Sequence, residues 1–226
     1  MELIDIPPQP NFQVSQIINT PIDSFPNPVS SPSDDAIGIC VIDSGIAPGH
    51  PLLSPAIGDI EPIPATLGSG VDINGHGTRV AGIALYGDLK TCIDNLNFSP
   101  EFYLYGARVT NDQNRFDDER LIIKQMDEAI RSFHKNYNCR VFNISLADPD
   151  LVYEDERKPS QWAQILDSLA RELDILIVVS TGNIPLAGLS GDEANEIQQT
   201  YPNHLFAPEY RILEPGTAVN VLRVEK

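Results

Sequence analysis

Apolar residues follow two rhythms along this chain. Short, nearly unbroken runs occur at Ile37-Gly-Ile-Cys-Val-Ile42, at Phe102-Tyr-Leu-Tyr-Gly-Ala-Arg-Val109, at Arg140-Val-Phe-Asn-Ile-Ser145 and at Ile175-Leu-Ile-Val-Val179. Runs of this length, rich in β-branched side chains, predict buried strands. Between them the apolar positions step by three or four. Residues 76–86 predict a short helix with Val80, Ile83 and Ala84 on one side. Residues 117–135 predict a longer one, with Ile122, Met126, Ile130 and Phe133 on its inner face. Asp117, Asp118 and Glu119 stand at its start, where carboxylates suit the helix dipole. Ser160 predicts the cap of a third helix, with a stripe of Trp162, Ile165, Leu166, Leu169 and Leu173. Strand and helix alternate, which predicts an α/β fold in three layers. A mainly parallel sheet is covered by helices on both faces.

Proline breaks this pattern at the front. Twelve of the 19 prolines precede residue 65, and seven of them lie between Pro7 and Pro32. Proline has no amide donor, so residues 1–35 cannot make a regular helix or a central strand. They read as an extended arm over a domain spanning 36–226, or as a disordered leader.

Charge narrows the partners. The 226 residues hold 32 acidic and 15 basic side chains, a formal charge of −17. Such a chain repels phosphate backbones and anionic membrane surfaces, and no local basic patch offsets this, so neither nucleic acid nor membrane is an expected partner. No apolar run approaches the roughly 18 residues that span a bilayer. The first residues show no basic start and no apolar core of a secretion signal. Cys40, Cys92 and Cys139 are odd in number and widely spaced. They predict reduced, mostly buried thiols in a cytoplasmic protein.

In parallel sheets, ligands gather beyond the carboxyl ends of the strands. Three polar features fall there: Asp43-Ser44-Gly45, Asn143 to Ala147, and Thr181-Gly182-Asn183. Asp-Ser-Gly alone is also a turn, and a lone histidine is commonly structural. Asn74-Gly75-His76-Gly77-Thr78, however, opens a helix next to the same rim, and glycines on both sides of an imidazole permit close approach.

Together these segments resemble the subtilisin-like serine proteases. Ile39-Cys-Val-Ile-Asp-Ser-Gly45 with His50-Pro-Leu-Leu53 is similar to the family's aspartate box, and Asn74-Gly-His-Gly-Thr-Arg-Val-Ala-Gly82 to its histidine box. Val141-Phe-Asn-Ile-Ser-Leu-Ala147 is similar to the strand lining its substrate cleft, and Val178-Val-Ser-Thr-Gly-Asn183 to its oxyanion segment. The resemblance implies that Asp43 orients His76, that His76 moves protons, and that the Asn183 amide donates to an oxyanion. It implies that an extended peptide or protein substrate pairs with the backbone of Ser145, Leu146 and Ala147, and that Gly182 leaves room beside the pocket. It also implies calcium as a candidate cofactor, although no loop suited to it stands out. Ala84 to Leu89 and Pro159 to Ala170 resemble large, leaderless bacterial members.

One part is missing. The family's nucleophile sits in a Gly-Thr-Ser box, and no such tripeptide occurs here. Gly216-Thr217-Ala218 is a candidate inactivated box. The stretch Arg211 to Val224 is more similar to the segment that precedes the serine box, where a short helix leads into the next strand. The expectation is a C-terminally incomplete catalytic domain, inactive alone and dependent on a complementing C-terminal fragment. The competing expectations are a peptide-binding or regulatory pseudoprotease, and a gene fragment without function.

Overall fold

The computed structural model describes residues 25, 29–117, 120–182, 199–200, 202–207 and 210–224. Among the described residues eight strands form in chain order: β1 (Gly38–Asp43), β2 (Ile57–Pro62), β3 (Tyr103–Arg108), β4 (Val141–Ile144), β5 (Asp148–Val152), β6 (Leu176–Ser180), β7 (Leu213–Glu214) and β8 (Leu222–Val224). Six make one sheet in the order β2-β3-β1-β4-β6-β8, and every neighbouring pair is parallel. β5 and β7 pair separately as an antiparallel ribbon. Among the described residues the α-helices with defined bounds are α1 (His76–Tyr86), α2 (Leu89–Asp94), α3 (Ile122–Tyr137) and α4 (Gln161–Leu173).

Strand periodicity sorts the side chains into two cores. Cys40, Ile42, Phe142, Ile144, Ile177 and Val179 face Met126, Ile130 and Phe133 of α3 and Trp162, Leu166 and Leu169 of α4. The alternate residues Val41 and Leu104 face Ala81 and Leu85 of α1, with Ile46, Leu53 and Ala56. The result is the expected α/β/α layering. Each large side chain hidden this way contributes roughly 2–3 kcal/mol of transfer free energy.

The expected strands and helices form, with shifts that have local causes. Ser160 caps α4, its Oγ accepting the Ala163 amide at 3.1 Å. Helix α3 starts at Ile122, later than expected, and no acidic residue lies in its first turn. Phe116 packs edge-on against Trp162, with ring centroids 5.4 Å apart, and so holds the chain beside α4 before α3 begins. The buried face of α1 is Gly77, Ala81 and Leu85, while Ile83 is 57% exposed. Small residues at 77 and 81 let this helix lie close to the sheet, so size rather than hydrophobicity sets its inner side. Within 211–224 the expected short helix is replaced by β7, a turn at 215–217 and β8.

The three thiols are free, with Cys40 and Cys139 buried and Cys92 half-buried. Burial pushes the Cys139 thiol up to about 12. Most of residues 1–35 lies outside the described residues. Of those described, Phe25 meets Phe98 edge-on at 5.5 Å, Phe98 meets Tyr86 at 5.2 Å, and Val29 is buried. Among the described residues no helix is long and apolar enough to cross a membrane.

Candidate active site

From β1 the chain passes to β2 and β3 on one side, then returns to β4, β6 and β8 on the other. The carboxyl end of β1 is therefore the switch point of the sheet, where a crevice opens. Asp43 occupies it. Its residue is fully buried, and its Oδ1 lies 2.7 Å from His76 Nδ1. The same oxygen accepts the Ser44 amide at 2.7 Å, while Oδ2 is buried and has no partner among the described residues.

His76 is the first residue of α1, and about one-third of its side chain is exposed. An ionised carboxylate only accepts, so Nδ1 carries the shared proton and Nε2 is left as the basic nitrogen. The hydrogen bond to Asp43 raises the imidazole pKa above its ordinary value. Partial burial opposes this, the charges of Asp43 and Asp72 add to it, and Arg79 subtracts.

Gly45 and Gly77, one in each motif, are demanded by this approach. Gly45 has φ +102°, and a Cβ there would lie 2.2 Å from the Gly70 carbonyl. A Cβ on Gly77 would lie 2.1 Å from the Gly45 carbonyl. Gly75, the residue before α1, has φ +77° and offers no side-chain cap. Ser44 helps instead, its Oγ accepting the Gly77 amide at 2.9 Å.

The other expected residues lie on the same rim or outside the described residues. Ser145, Leu146 and Ala147 connect β4 to β5. Ser145 Oγ donates to Asn143 Oδ1 at 2.9 Å, and Leu146 is buried in the core under α3 and α4. Gly182 follows β6 with φ +105°, and its amide donates to Ser180 Oγ at 3.1 Å. The space beside it belongs to Leu213, whose side chain would be 2.6 Å from a Cβ at that position. Asn183 falls outside the described residues. Asp43 and His76 are thus brought into direct contact, and residues 145–147 and Gly182 stand at the carboxyl ends of the adjacent strands. Among the described residues, no three His, Cys, Asp or Glu side chains cluster as a metal site.

Sequence reasoning missed Asp72 and Arg108. Asp72 receives hydrogen bonds from Ser44, Asn74, Gly75 and Thr78. An Asp shortly before Asn-Gly and a helix start was the available signal. Arg108, at the end of β3 and paired in register with Asp43, is buried and bonded to four oxygens.

A buried acid and a half-buried base meet at the switch point of a parallel sheet, and the comparisons give the chain a family. Residues 34–217 match the model of the subtilase family, Peptidase_S8, and the chain belongs to that family. Over 100 residues it is 40% identical to the uncharacterized protein y4bN of Sinorhizobium fredii (strain NBRC 101917 / NGR234), covering 44% of this chain and 22% of that protein. A crystal structure of a lanthipeptide protease shares the fold with TM-score 0.52 and 20% identity over 83% of this chain and 47% of that one. The psychrophilic subtilisin-like protease Apa1 from Pseudoalteromonas sp. AS-11 does so with TM-score 0.51 and 18% identity, over 83% and 35% respectively. The chain spans less than half the length of each of these three proteins.

Proposed function

We propose that this chain carries the acid–base half of a serine endopeptidase site. The observation that carries the proposal is the 2.7 Å contact between Asp43 and His76 at the switch point of the sheet. On this reading His76 Nε2 takes the proton of a serine hydroxyl as its oxygen bonds to the scissile carbonyl carbon. The imidazolium, held by Asp43, then gives that proton to the leaving amine as the C–N bond breaks. A water activated by the same nitrogen releases the acyl group. Asn183, by its place in the family motif, donates to the oxyanion. The backbone of Ser145 to Ala147 pairs with an extended peptide substrate beside Gly182.

The nucleophile on this reading comes from outside these 226 residues. Two facts support it. The sequence has no Gly-Thr-Ser. The three serines nearest the motifs are engaged elsewhere: Ser44 Oγ with Asp72 and Gly77, Ser145 Oγ with Asn143, and Ser180 Oγ with Gly182. Residues 36–226 are then part of a catalytic domain, with 1–35 as an arm upon it and a complementing C-terminal segment as its partner. The apolar edge at β8 favours such a partner, since Leu222 and Val224 are each 53% exposed. Free thiols suit a cytoplasmic location.

A fluorophosphonate probe tests the proposal. The 226-residue chain alone is expected to remain unlabelled. The chain joined to the coding sequence downstream of Lys226 is expected to label at a Gly-Thr-Ser serine, with labelling lost in His76→Ala. Labelling of the isolated chain at any serine contradicts the proposal. Peptide binding without labelling in either form favours the pseudoprotease alternative.

A further inference from the structure

We infer that Asp72 is a positioning residue, whose carboxylate clasps the turn after the acid to the first turn of the base's helix and so sets the hydrogen bond between Asp43 and His76. The inference rests on the acid–base reading of that pair. Asp43 and His76 belong to separate segments, one ending β1 and the other opening α1. No covalent feature within 33 residues of sequence fixes their distance.

Asp72 is where the two segments meet. Its Oδ1 accepts from Ser44 Oγ at 2.9 Å, from the Asn74 amide at 3.0 Å and from the Gly75 amide at 2.9 Å. Its Oδ2 accepts from the Thr78 amide at 2.9 Å and from Thr78 Oγ1 at 2.6 Å. The clasp closes through two hydroxyls. Ser44 Oγ accepts the Gly77 amide, and Thr78 Oγ1 accepts the Ala47 amide at 3.0 Å. His76 is therefore flanked by Gly75, Gly77 and Thr78, each tied to Asp72 directly or through Ser44, which follows Asp43 in sequence. The anion also stands at the amino end of α1, where the free amides of a helix need acceptors and Gly75 supplies none.

The lead-in to Asp72 is itself anchored. Arg108 Nη1 donates to the carbonyls of Ser69 and Val71, both at 3.2 Å, and Val71 bridges to Ile46 beyond the acid turn. Burial works to raise the Asp72 pKa, but the bonds from Thr78, Ser44 and Gly75 outweigh it and hold the carboxyl below its ordinary range. The clasp is thus charged across the neutral range.

The charged groups facing His76 are Asp43, Asp72 and Arg79. Removing Asp72 would change His76 by charge alone, so the decisive variants leave every charge in place. Ser44→Ala and Thr78→Val each remove a hydroxyl of the clasp, and Thr78→Ser restores one. The experiment is a 15N and 1H NMR titration of His76 in the 226-residue chain, run well below the melting temperature of each variant. In the wild type we expect the imidazole to titrate above its ordinary value of about 6.5 and to show a strongly downfield Nδ1 proton. We expect Ser44→Ala and Thr78→Val to lower the midpoint towards about 6.5 and to broaden or erase that proton signal, with Thr78→Ser near the wild type. Asp72→Asn, which turns an amide N–H2 towards existing donors, is expected to show the largest change. Lower melting temperatures with an unchanged midpoint and proton signal in Ser44→Ala and Thr78→Val would overturn the inference, because a merely structural role predicts that result. An ordinary midpoint and no downfield proton in the wild type would instead refute the acid–base reading, and the inference with it.

Discussion

The carboxyl end of β1 and the outer edge at β8 are built differently, although both belong to one parallel sheet. At β1 the acid is buried and its neighbouring turn is stitched to α1 by side-chain bonds through Ser44, Asp72 and Thr78. Its glycines leave no room for a methyl group. At β8 the sheet ends in three exposed residues, paired among the described residues to β6, with Leu176 and Val219 also open to solvent. Side-chain hydrogen bonds are concentrated around the contact between Asp43 and His76. The edge instead presents exposed apolar side chains, a feature that accepts an added segment.

The largest expected effect breaks the rim. Gly77→Ala places a methyl group against the Gly45 carbonyl and must push the acid turn away from α1. Overpacking against rigid backbone costs about 3 kcal/mol, readable as a lower denaturation midpoint in urea. Gly182→Ala should cost less, about 1–2 kcal/mol. Its φ of +105° is strained for alanine, but the obstacle is the yielding side chain of Leu213.

A third, smaller effect is the pH dependence of the acid–base pair. The folded pKa of His76 is raised above the unfolded value of about 6.5. The pair's contribution to stability is therefore complete below about pH 6.5 and is lost as pH rises through the folded value. Solvent screens the one-third-exposed imidazole, which keeps the effect modest. The stability difference between wild type and His76→Ala, measured at acidic and alkaline pH, should narrow on the alkaline side. The smallest effect lies at the edge. Leu222→Ser, at a side chain already 53% exposed, should change stability by less than about 0.5 kcal/mol in urea denaturation. A large loss of stability there would erase the contrast between the two regions.

Much of this was legible in the sequence, for identifiable reasons. β1 is buried on both faces, while β4 and β6 bury their α3–α4 face, and all three read as short, largely apolar runs. The amphipathic stripes of α3 and α4 are wide, so their buried faces at Met126, Phe133, Leu166 and Leu169 stand out. Asp43 and His76 stood out because their glycines mark close approach. Other features carried no local signal. β2 ends in Pro62 at the opposite edge and is mostly half-buried, so it lacks an apolar pattern. β8 is too short for one. The inner face of α1 rests on Gly77 and Ala81, small residues that hydrophobicity overlooks in favour of the exposed Ile83. Asp72 had the local signal of an Asp just before Asn-Gly, but its bond to Ser44, 28 residues away, forms only in the fold.

The most direct test of the central claim compares the His76 titration in the wild type with that in Asp43→Asn, followed by NMR of the imidazole. A shared proton predicts a midpoint above about 6.5 in the wild type that drops when the carboxylate becomes an amide. Identical titration curves in the two proteins would mean that Asp43 does not hold the imidazole, and the account would fail.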